Sequence, residues 1–305
     1  MKKKNKAIYL LFLMPFVYFA TACFVVWLVK TSGIYPSGSD TMYHVYRGDY
    51  VYNAIKSGNW YPLYDPAWYN GVEILRYWSP FPAYVMAFCQ YLAGGSQFGA
   101  YLFYIGGVCF LGACVWPFIG RGFNRPYLGA FIGLLWFFMP NNLYALFVEG
   151  NLARSLSMIF LPVFIYAVYK YLYNHKLRYI PLMVFTFLLM ELCHLGYAGM
   201  VAIAVIIYGI VYMIQKGRKK AVLDVVISMI FGFMLLGIWL VASLRGGITS
   251  LDNSENMANF FQNLWITINP FERLTRGFEY FYFGFATLVV IVSVSYTHLT
   301  LPTNR

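Results

Sequence analysis

Charged side chains are scarce in this 305-residue sequence, and their scarcity excludes most soluble folds. Only 11% of the residues are Asp, Glu, Lys or Arg, whereas 61% are hydrophobic. A soluble domain carries about 25% charged residues, so a soluble core of this length would leave apolar surface uncovered. Lipid must cover the remainder. The composition therefore predicts an all-α, polytopic membrane protein.

The sequence also lacks the short motifs of soluble nucleotide, metalloprotease and hydrolase chemistry. It has no P-loop, no glycine-rich dinucleotide motif after a strand, no His-Glu-x-x-His and no Gly-x-Ser-x-Gly. The cysteines have no metal-ligand spacing and lie in apolar stretches, which predicts small buried side chains and neither a metal site nor a cofactor. They are Cys23, Cys89, Cys109, Cys114 and Cys193.

Apolar runs of about 20 residues, the length that crosses a bilayer as a helix, recur along the chain. The first follows Lys2–Lys6 and is too long for a signal-peptide core, so we interpret it as an uncleaved span. The stretch 80–95 is short and predicts a partial or interfacial helix. About eight spans are predicted, near 7–29, 98–120, 127–147, 153–173, 179–195, 196–214, 221–244 and 280–294. Gly196 and Gly199 indicate a turn in the 179–214 run, where one long tilted helix is the alternative.

The net charge of +11 reflects topology rather than a nucleic-acid partner, because the positive residues cluster between apolar runs. If 80–95 does not cross, the clusters at 2–6, 121–125, 170–178 and 216–220 all fall on the cytoplasmic side. The positive-inside rule therefore predicts a multi-pass cell-membrane protein with a cytoplasmic N-terminus and an external loop at 31–79. Nine of the eleven acidic residues then map outside.

The external loop contains the first candidate site. Ser39 is a plausible N-cap for a helix that continues to Ser57 and ends at Gly58. On that helix Asp40, His44 and Arg47 are spaced i, i+4 and i+7 and share one face. A carboxylate, an imidazole and a guanidinium could bind an anion and move a proton. The alternative is an interfacial helix with a solvated polar stripe.

Three further groups are candidates for binding a lipid or a sugar. Glu149 and Arg154 open a predicted span, where the arginine could hold a lipid phosphate or form an ion pair at a capped helix start. Glu191 and His194 lie at membrane depth and could be functional, or could bond to each other or to a neighbouring helix. Trp60 and Tyr77 belong to an aromatic stretch that could stack on sugars or form an interfacial belt.

Several short motifs resemble the bacterial 6-pyruvoyl-tetrahydropterin synthase-related membrane protein family, over roughly residues 7 to 294. They are Asp40-x-x-x-His44-x-x-Arg47, Ile55-Lys-Ser-Gly58-Asn-Trp-Tyr-Pro62, Tyr69-Asn-Gly71, Tyr77-Trp-Ser-Pro80, Glu149-Gly-Asn-Leu-Ala-Arg154, Phe160-Leu-Pro162 and His194-Leu. Members of that family resemble glycosyltransferases of the GT-C type. The resemblance implies one GT-C-like transmembrane domain over 1–294, including the external loop.

The resemblance also implies an activity. GT-C enzymes move a sugar from a polyprenyl-phosphate carrier to a glycan or protein acceptor outside the cytoplasm, using a carboxylate in the first external loop. Asp40 matches that carboxylate, although Thr41 follows it where the common motif pairs two carboxylates. By this interpretation Asp40 is the catalytic base, and His44, Arg47, Glu149, Arg154, His194, Trp60 and Tyr77 contact lipid-linked substrate. The alternatives are a lipid or small-molecule transporter or flippase, and a noncatalytic assembly protein.

The last eleven residues, 295–305, break the polarity of the final predicted span and include Pro302, which would end a helix within the membrane. They resemble translated adapter sequence. We expect this tail to be non-native and the natural chain to continue beyond it.

The charge pattern gives a first testable prediction. Cysteine introduced at Gly217 should be labelled only after the membrane is made permeable to a polar maleimide, whereas cysteine at Ser57 should be labelled in intact cells. Labelling of the Gly217 position from outside would overturn the predicted orientation.

Overall fold

A computed structural model of the protein describes residues 2–36, 38–68 and 71–244. Within these ranges the chain is helical, and its one β-type pairing is an isolated bridge between Asp65 and Val72. The helices are α1 (Lys2–Ser32), α2 (Thr41–Lys56), α3 (Phe81–Leu92), α4 (Gln97–Gly122), α5 (Pro126–Trp136), α6 (Pro140–Leu143), α7 (Leu152–Asn174), α8 (Tyr179–Cys193), α9 (Leu195–Lys216), α10 (Lys219–Leu235) and α11 (Gly237–Leu244). A π-helical turn, Tyr144–Val148, extends α6.

Among the described residues, five helical segments are long and apolar enough to cross a membrane, which confirms a multi-pass, all-helical architecture. They are Phe12–Ser32, Gln97–Gly122, Pro126–Val148, Leu152–Asn174 and Leu195–Lys216. The predicted total of about eight spans is not confirmed. The span expected at 179–195 is the 15-residue α8, and that at 221–244 is divided between α10 and α11. The predicted span 280–294 and the tail 295–305 lie outside the described residues.

The first half of the bundle is built on antiparallel packing of α1 against α4. The rings of Phe19 and Phe110 meet edge to face with centroids 5.9 Å apart. Tyr35, which follows the end of α1, lies 5.3 Å from Tyr101 near the start of α4, so the two helices run antiparallel. The Tyr18 hydroxyl, fully buried, donates to the carbonyl of Ala130 at 2.8 Å and so joins α1 to α5. A buried hydroxyl needs such a partner, because water cannot reach it.

The second half consists of α7 to α10, which run alternately up and down. The chain breaks between α8 and α9 at His194, whose backbone is extended (φ −154°, ψ 97°). The break precedes the glycines that were expected to form it, and it excludes the single tilted helix. The far end of α9 is held against α7, because the Tyr212 hydroxyl donates to the carbonyl of Leu172 at 2.5 Å.

The helix predicted in the first long loop is confirmed as α2, although its predicted cap is wrong. Asp40, rather than Ser39, is the N-cap residue, and its side chain makes no capping hydrogen bond. Gly58 follows the helix with φ +86°, as its predicted role requires. The chain then runs back along α2, held by hydrogen bonds from Tyr50 to the carbonyl of Tyr64 and from Tyr46 to the Asp65 carboxylate, both 2.6 Å.

The stretch 80–95 is the 12-residue helix α3, which lies against α2 and α4. Twelve residues extend about 18 Å, well short of the roughly 30 Å apolar thickness of a bilayer. A non-crossing α3 leaves the loop 33–80 at one end of the bundle, here called the loop end. The opposite, basic end carries the clusters around Arg121, Lys170 and Arg218. There the Lys170 ammonium donates to the carbonyl of Gly122 at 2.6 Å.

The crossing of α2 and α3 depends on Gly48. A Cβ at this position would lie 2.2 Å from Cγ of Met86, far inside van der Waals contact. Gly48→Ala should therefore destabilise the fold by about 1–3 kcal/mol, the usual cost of overpacking, even though alanine favours a helix. Thermal unfolding in detergent measures this effect.

Gly107→Ala in α4 is the matched control, because a Cβ there meets nothing within 4 Å. It should leave the melting temperature unchanged or raise it slightly. Equal melting temperatures for the two variants would show that α2 and α3 do not pack as described.

Candidate functional site

The site at the loop end is organised by one carbonyl oxygen. The carbonyl of Glu149 accepts from the backbone N–H of Asp40 at 3.1 Å and from the Ser39 hydroxyl, also at 3.1 Å. The two chain segments approach so closely that a Cβ on Gly38 would lie 2.6 Å from Cα of Gly150. Gly150 also has φ +70°, which favours glycine. These contacts place the start of α2 against the start of α7.

Asn151 connects the groups around this contact. As the N-cap of α7, it accepts from the backbone N–H of Arg154 through Oδ1 at 2.9 Å. Its amide nitrogen donates to Oε1 of Glu149 at 3.2 Å. A capping side chain satisfies amides that the helix itself leaves unbonded, so Asn151 fixes both the helix start and the glutamate.

Glu149 and Arg154 form the ion pair that the sequence left as one of two possibilities. The Arg154 side chain is 6% exposed and that of Glu149 is 21% exposed. The observed geometry is a capped helix start whose guanidinium lies at the edge of the bundle beside the loop. Either alternative, the ion pair or the contact with a lipid phosphate, would use this geometry. A lipid phosphate at Arg154 would have to share the guanidinium with Glu149.

His194 lies beside this pair and has a defined tautomer. Its Nδ1 accepts from the backbone N–H of Tyr197 at 3.0 Å, which caps α9. Burial and then the positive charge of Arg154 lower the pKa of His194, against an upward influence of Asp40. The neutral imidazole therefore carries its proton on Nε2. The amide nitrogen of Asn151 lies 3.4 Å from Nε2 and is a donor as well, so the two nitrogens are not hydrogen-bonded to each other. The site gains a neutral N–H donor.

His44 and Arg47 lie beneath the cluster, with 7% and 1% of their surface exposed. Burial, followed by the charge of Arg47 and by His194, lowers the pKa of His44 to about 3, so His44 is neutral. Arg47 donates to the carbonyls of Trp78 at 3.1 Å and Ser79 at 3.4 Å. Its guanidinium anchors the chain that leads into α3. Of the three residues predicted to share a polar face, His44 and Arg47 are therefore buried, whereas Asp40 is partly exposed.

The aromatic residues gather elsewhere than predicted. Tyr43 packs edge to face against Trp68 and Trp78, with centroids 5.2 and 6.1 Å away, and it also contacts His44. Trp60 follows the other end of α2, about 24 Å along a 16-residue helix, and is 71% exposed. Trp60 is therefore outside the cluster near Asp40.

Tyr77 is half-buried, in the same segment as Trp78. Sequence reasoning missed Asn151, Trp68 and Trp78 as parts of the site. Asn151 carried a usable signal, since asparagine before a helical run is a preferred N-cap. The sequence carries no comparable signal for Trp68 and Trp78, because their position depends on how the loop folds back along α2.

Glu191 is only 2% exposed at the end of α8. Its Oε2 has no hydrogen-bond partner among the described residues, and His194 bonds to α9 instead. The mutual pairing of Glu191 and His194 considered from the sequence is therefore not seen. In the described ranges, no three His, Cys, Asp or Glu side chains converge in a way that could hold a metal ion.

The helices and this polar cluster define an integral-membrane protein with a built site at one end of its bundle. The chain belongs to the family of 6-pyruvoyl-tetrahydropterin synthase related domains, a membrane protein family whose pattern it matches over residues 75–300. No curated protein and no solved structure matches the sequence significantly.

The Glu149–Arg154 pair gives a test of the site's construction. Glu149→Gln leaves a buried arginine without its charge partner, which typically costs about 3–5 kcal/mol. Adding Arg154→Met should recover much of this loss, because the double variant buries no unpaired charge. The free energy of unfolding for both single variants and the double variant measures the coupling.

Glu73→Gln provides the control. Glu73 pairs with Arg76 in the same loop, but both side chains are partly exposed, at 39% and 29%. Exposed pairs contribute about 0–1 kcal/mol, so this change should have little effect. Strictly additive effects at Glu149 and Arg154 would contradict the buried pair.

Proposed function

We propose that the protein is an integral-membrane glycosyltransferase. It moves a sugar from a polyprenyl-phosphate carrier to a glycan or protein acceptor on the extracytoplasmic side, to which we assign the loop end. The observation that carries this proposal is the position of Asp40 next to Arg154 and His194. A half-exposed carboxylate stands beside a cation and a neutral N–H donor, which is the combination that transfer from a lipid phosphate requires.

Asp40 is the general base of the proposed reaction. Its backbone is held by the Glu149 carbonyl, and its Oδ1 accepts from Ser39 at 3.1 Å, which leaves the second oxygen for an acceptor hydroxyl. The acceptor oxygen loses its proton to Asp40 and forms a bond to the anomeric carbon. The bond between that carbon and the phosphate oxygen breaks, and polyprenyl phosphate leaves.

The departing phosphate develops negative charge, and two groups can stabilise it. His194 presents its Nε2–H next to another donor, the Asn151 amide, so this proton is available to a phosphate oxygen. Arg154 supplies positive charge that Glu149 neutralises in the resting state. A phosphate that draws Arg154 from Glu149 gains a contact that strengthens as the bond breaks, which favours the transition state over the bound substrate.

Aromatic side chains near Asp40 suit a sugar. The faces of Trp68, Trp78 and Tyr43 can stack on the apolar face of a pyranose. Trp60 and Tyr77 are assigned a more general role in contacting membrane lipid and the polyprenyl chain, because Trp60 lies far along α2. No nucleotide or resident cofactor is needed, since the carrier itself is the substrate.

A transporter or flippase, and a noncatalytic assembly protein, are the competing functions. Transporters commonly bind substrate near the membrane midplane, at broken helices. Here the break at His194 and the π-helical turn Tyr144–Val148 both lie at the loop end, beside Asp40. Helix interruptions at the end of the bundle favour a reaction at the membrane surface over transport of a substrate through the midplane.

Asp40→Asn tests the proposal directly. The amide keeps the size of the side chain and removes its proton-accepting charge. Turnover of radiolabelled polyprenyl-phosphate mannose and polyprenyl-phosphate glucose, measured per folded molecule in membranes, should fall by roughly 10²–10⁴-fold, the scale of a positioned general base.

Asp49→Asn is the matched control. Asp49 lies on the same helix and accepts from the Gln90 side-chain amide at 2.6 Å, a bond that the new carbonyl can keep. Its specific activity should be unchanged. Equal specific activity in Asp40→Asn and wild type would remove Asp40 from the mechanism and, with it, the main reason to consider the protein an enzyme.

A further inference from the structure

A second built feature lies at the basic end, between the turn that joins α7 to α8 and the turn that joins α9 to α10. The two turns line an open cavity of about 730 Å³ at the surface. Ligand-binding clefts typically span about 300–1,000 Å³. Three consecutive cations, Arg218, Lys219 and Lys220, line this cavity and give one wall its charge.

The cavity wall is positive because these cations lack acidic partners. Among the described residues, none of the three has a carboxylate within ion-pair distance. Asp224 also lines the cavity, but it accepts a hydrogen bond of 2.5 Å from the Tyr171 hydroxyl in α7. One engaged carboxylate against three cations leaves a surplus of positive charge, which favours an anionic occupant.

The start of α10 adds hydrogen-bond donors to this charge. Gly217, with φ +65°, reverses the chain so that α10 begins at the cavity. Arg218 is the N-cap residue, and its side chain makes no capping bond. A helix start without a side-chain cap offers backbone N–H groups and a partial positive charge, which together suit a phosphate.

The two turns are connected by Arg218. Its guanidinium donates to Nε2 of His175, which closes α7 in a left-handed conformation with φ +52°. An arginine cannot accept a hydrogen bond, so His175 is the acceptor. Arg218 is thus held across the mouth of the cavity with its charge retained.

The same cavity has an apolar side. Leu177 and Ile180 also line it, and Leu177 is 71% exposed. A charged wall beside an apolar wall fits a molecule with a phosphate group and a hydrocarbon chain. Positive-inside clusters orient membrane proteins without binding anything in particular, but they need neither a cavity nor an uncapped helix start.

We propose that this cavity binds the phosphate of an anionic phospholipid in the membrane leaflet at the basic end. Arg218, Lys219 and the first-turn amides of α10 contact the phosphate, and Leu177 and Ile180 contact the acyl chains. The proposal is independent of the transferase activity, because it concerns the opposite end of the bundle and none of the residues near Asp40.

Native mass spectrometry of the full chain, with phosphatidylglycerol or phosphatidylcholine added in detergent, tests this site. The wild type should retain phosphatidylglycerol in preference. Arg218→Gln combined with Lys219→Gln should weaken its retention by roughly 10-fold or more, since each cation near a lipid headgroup contributes about 1 kcal/mol. Both side chains are exposed, so the variant should fold normally, and its melting temperature verifies this.

Arg121→Gln combined with Arg125→Gln is the matched control. It removes the same charge from the same end, at residues that do not line the cavity, and should leave retention unchanged. An equal loss of retention in the control variant would show that binding follows general surface charge. Retention equal to wild type in both variants would show that the cavity binds no lipid. Either result overturns the proposal.

Competition distinguishes a lipid from a soluble anion. Glycerol 3-phosphate and inorganic phosphate should displace phosphatidylglycerol only at concentrations at least 100-fold higher, because they lack the acyl contacts. Displacement at equal concentrations would overturn the lipid assignment.

Discussion

The loop end depends on the contact between Glu149 and the segment that precedes α2. One carbonyl oxygen receives both the amide of Asp40 and the hydroxyl of Ser39, and two glycines allow the backbones to meet. Without this contact, α2 would still pack on α3, but its first turn would not be held against the start of α7. Asp40 and Arg154 would then share neither position nor electrostatic environment, although both would remain in the sequence.

The same region shows how structural and chemical roles can be combined in one residue. His194 ends α8, caps α9 through Nδ1 and, because that nitrogen is occupied, presents a proton on Nε2. Asn151 similarly caps α7 while it orients Glu149. Each capping bond fixes which atom of the side chain remains available for a ligand, so the helix ends determine the hydrogen-bonding character of the site.

Much of the bundle could be predicted from the sequence, because membrane spans are set by local composition and length. The spans at 98–120 and 153–173 differ from the observed helices by only one or two residues at each end. The short, non-crossing α3 could be predicted as well, since the positive clusters agree with one another only in that arrangement. Assigning Asp40, Arg154 and His194 to the same side of the membrane also predicted that the three residues lie close together.

Other features could not be predicted, because they depend on contacts between distant segments. Ser39 seemed the better cap by type, yet its hydroxyl bonds across the bundle to Glu149. The position of Trp68 depends on a loop that reverses along α2. The position of the Arg47 side chain depends on carbonyls that lie 31 and 32 residues further along the chain. The α8–α9 break occurs at a histidine because its side chain can cap the next helix, whereas the nearby glycines cannot.

The length of α8 has a consequence for the surrounding bilayer. Its 15 residues extend about 22 Å, less than the roughly 30 Å of a typical hydrocarbon layer. Such hydrophobic mismatch is relieved by local thinning of the membrane or by polar groups that sit below the headgroup plane. His194 and the adjoining polar cluster lie at the end of this short helix. In the proposed reaction, such thinning would let a lipid-linked substrate bring its phosphate to the cluster with little displacement of its isoprenoid chain from the leaflet.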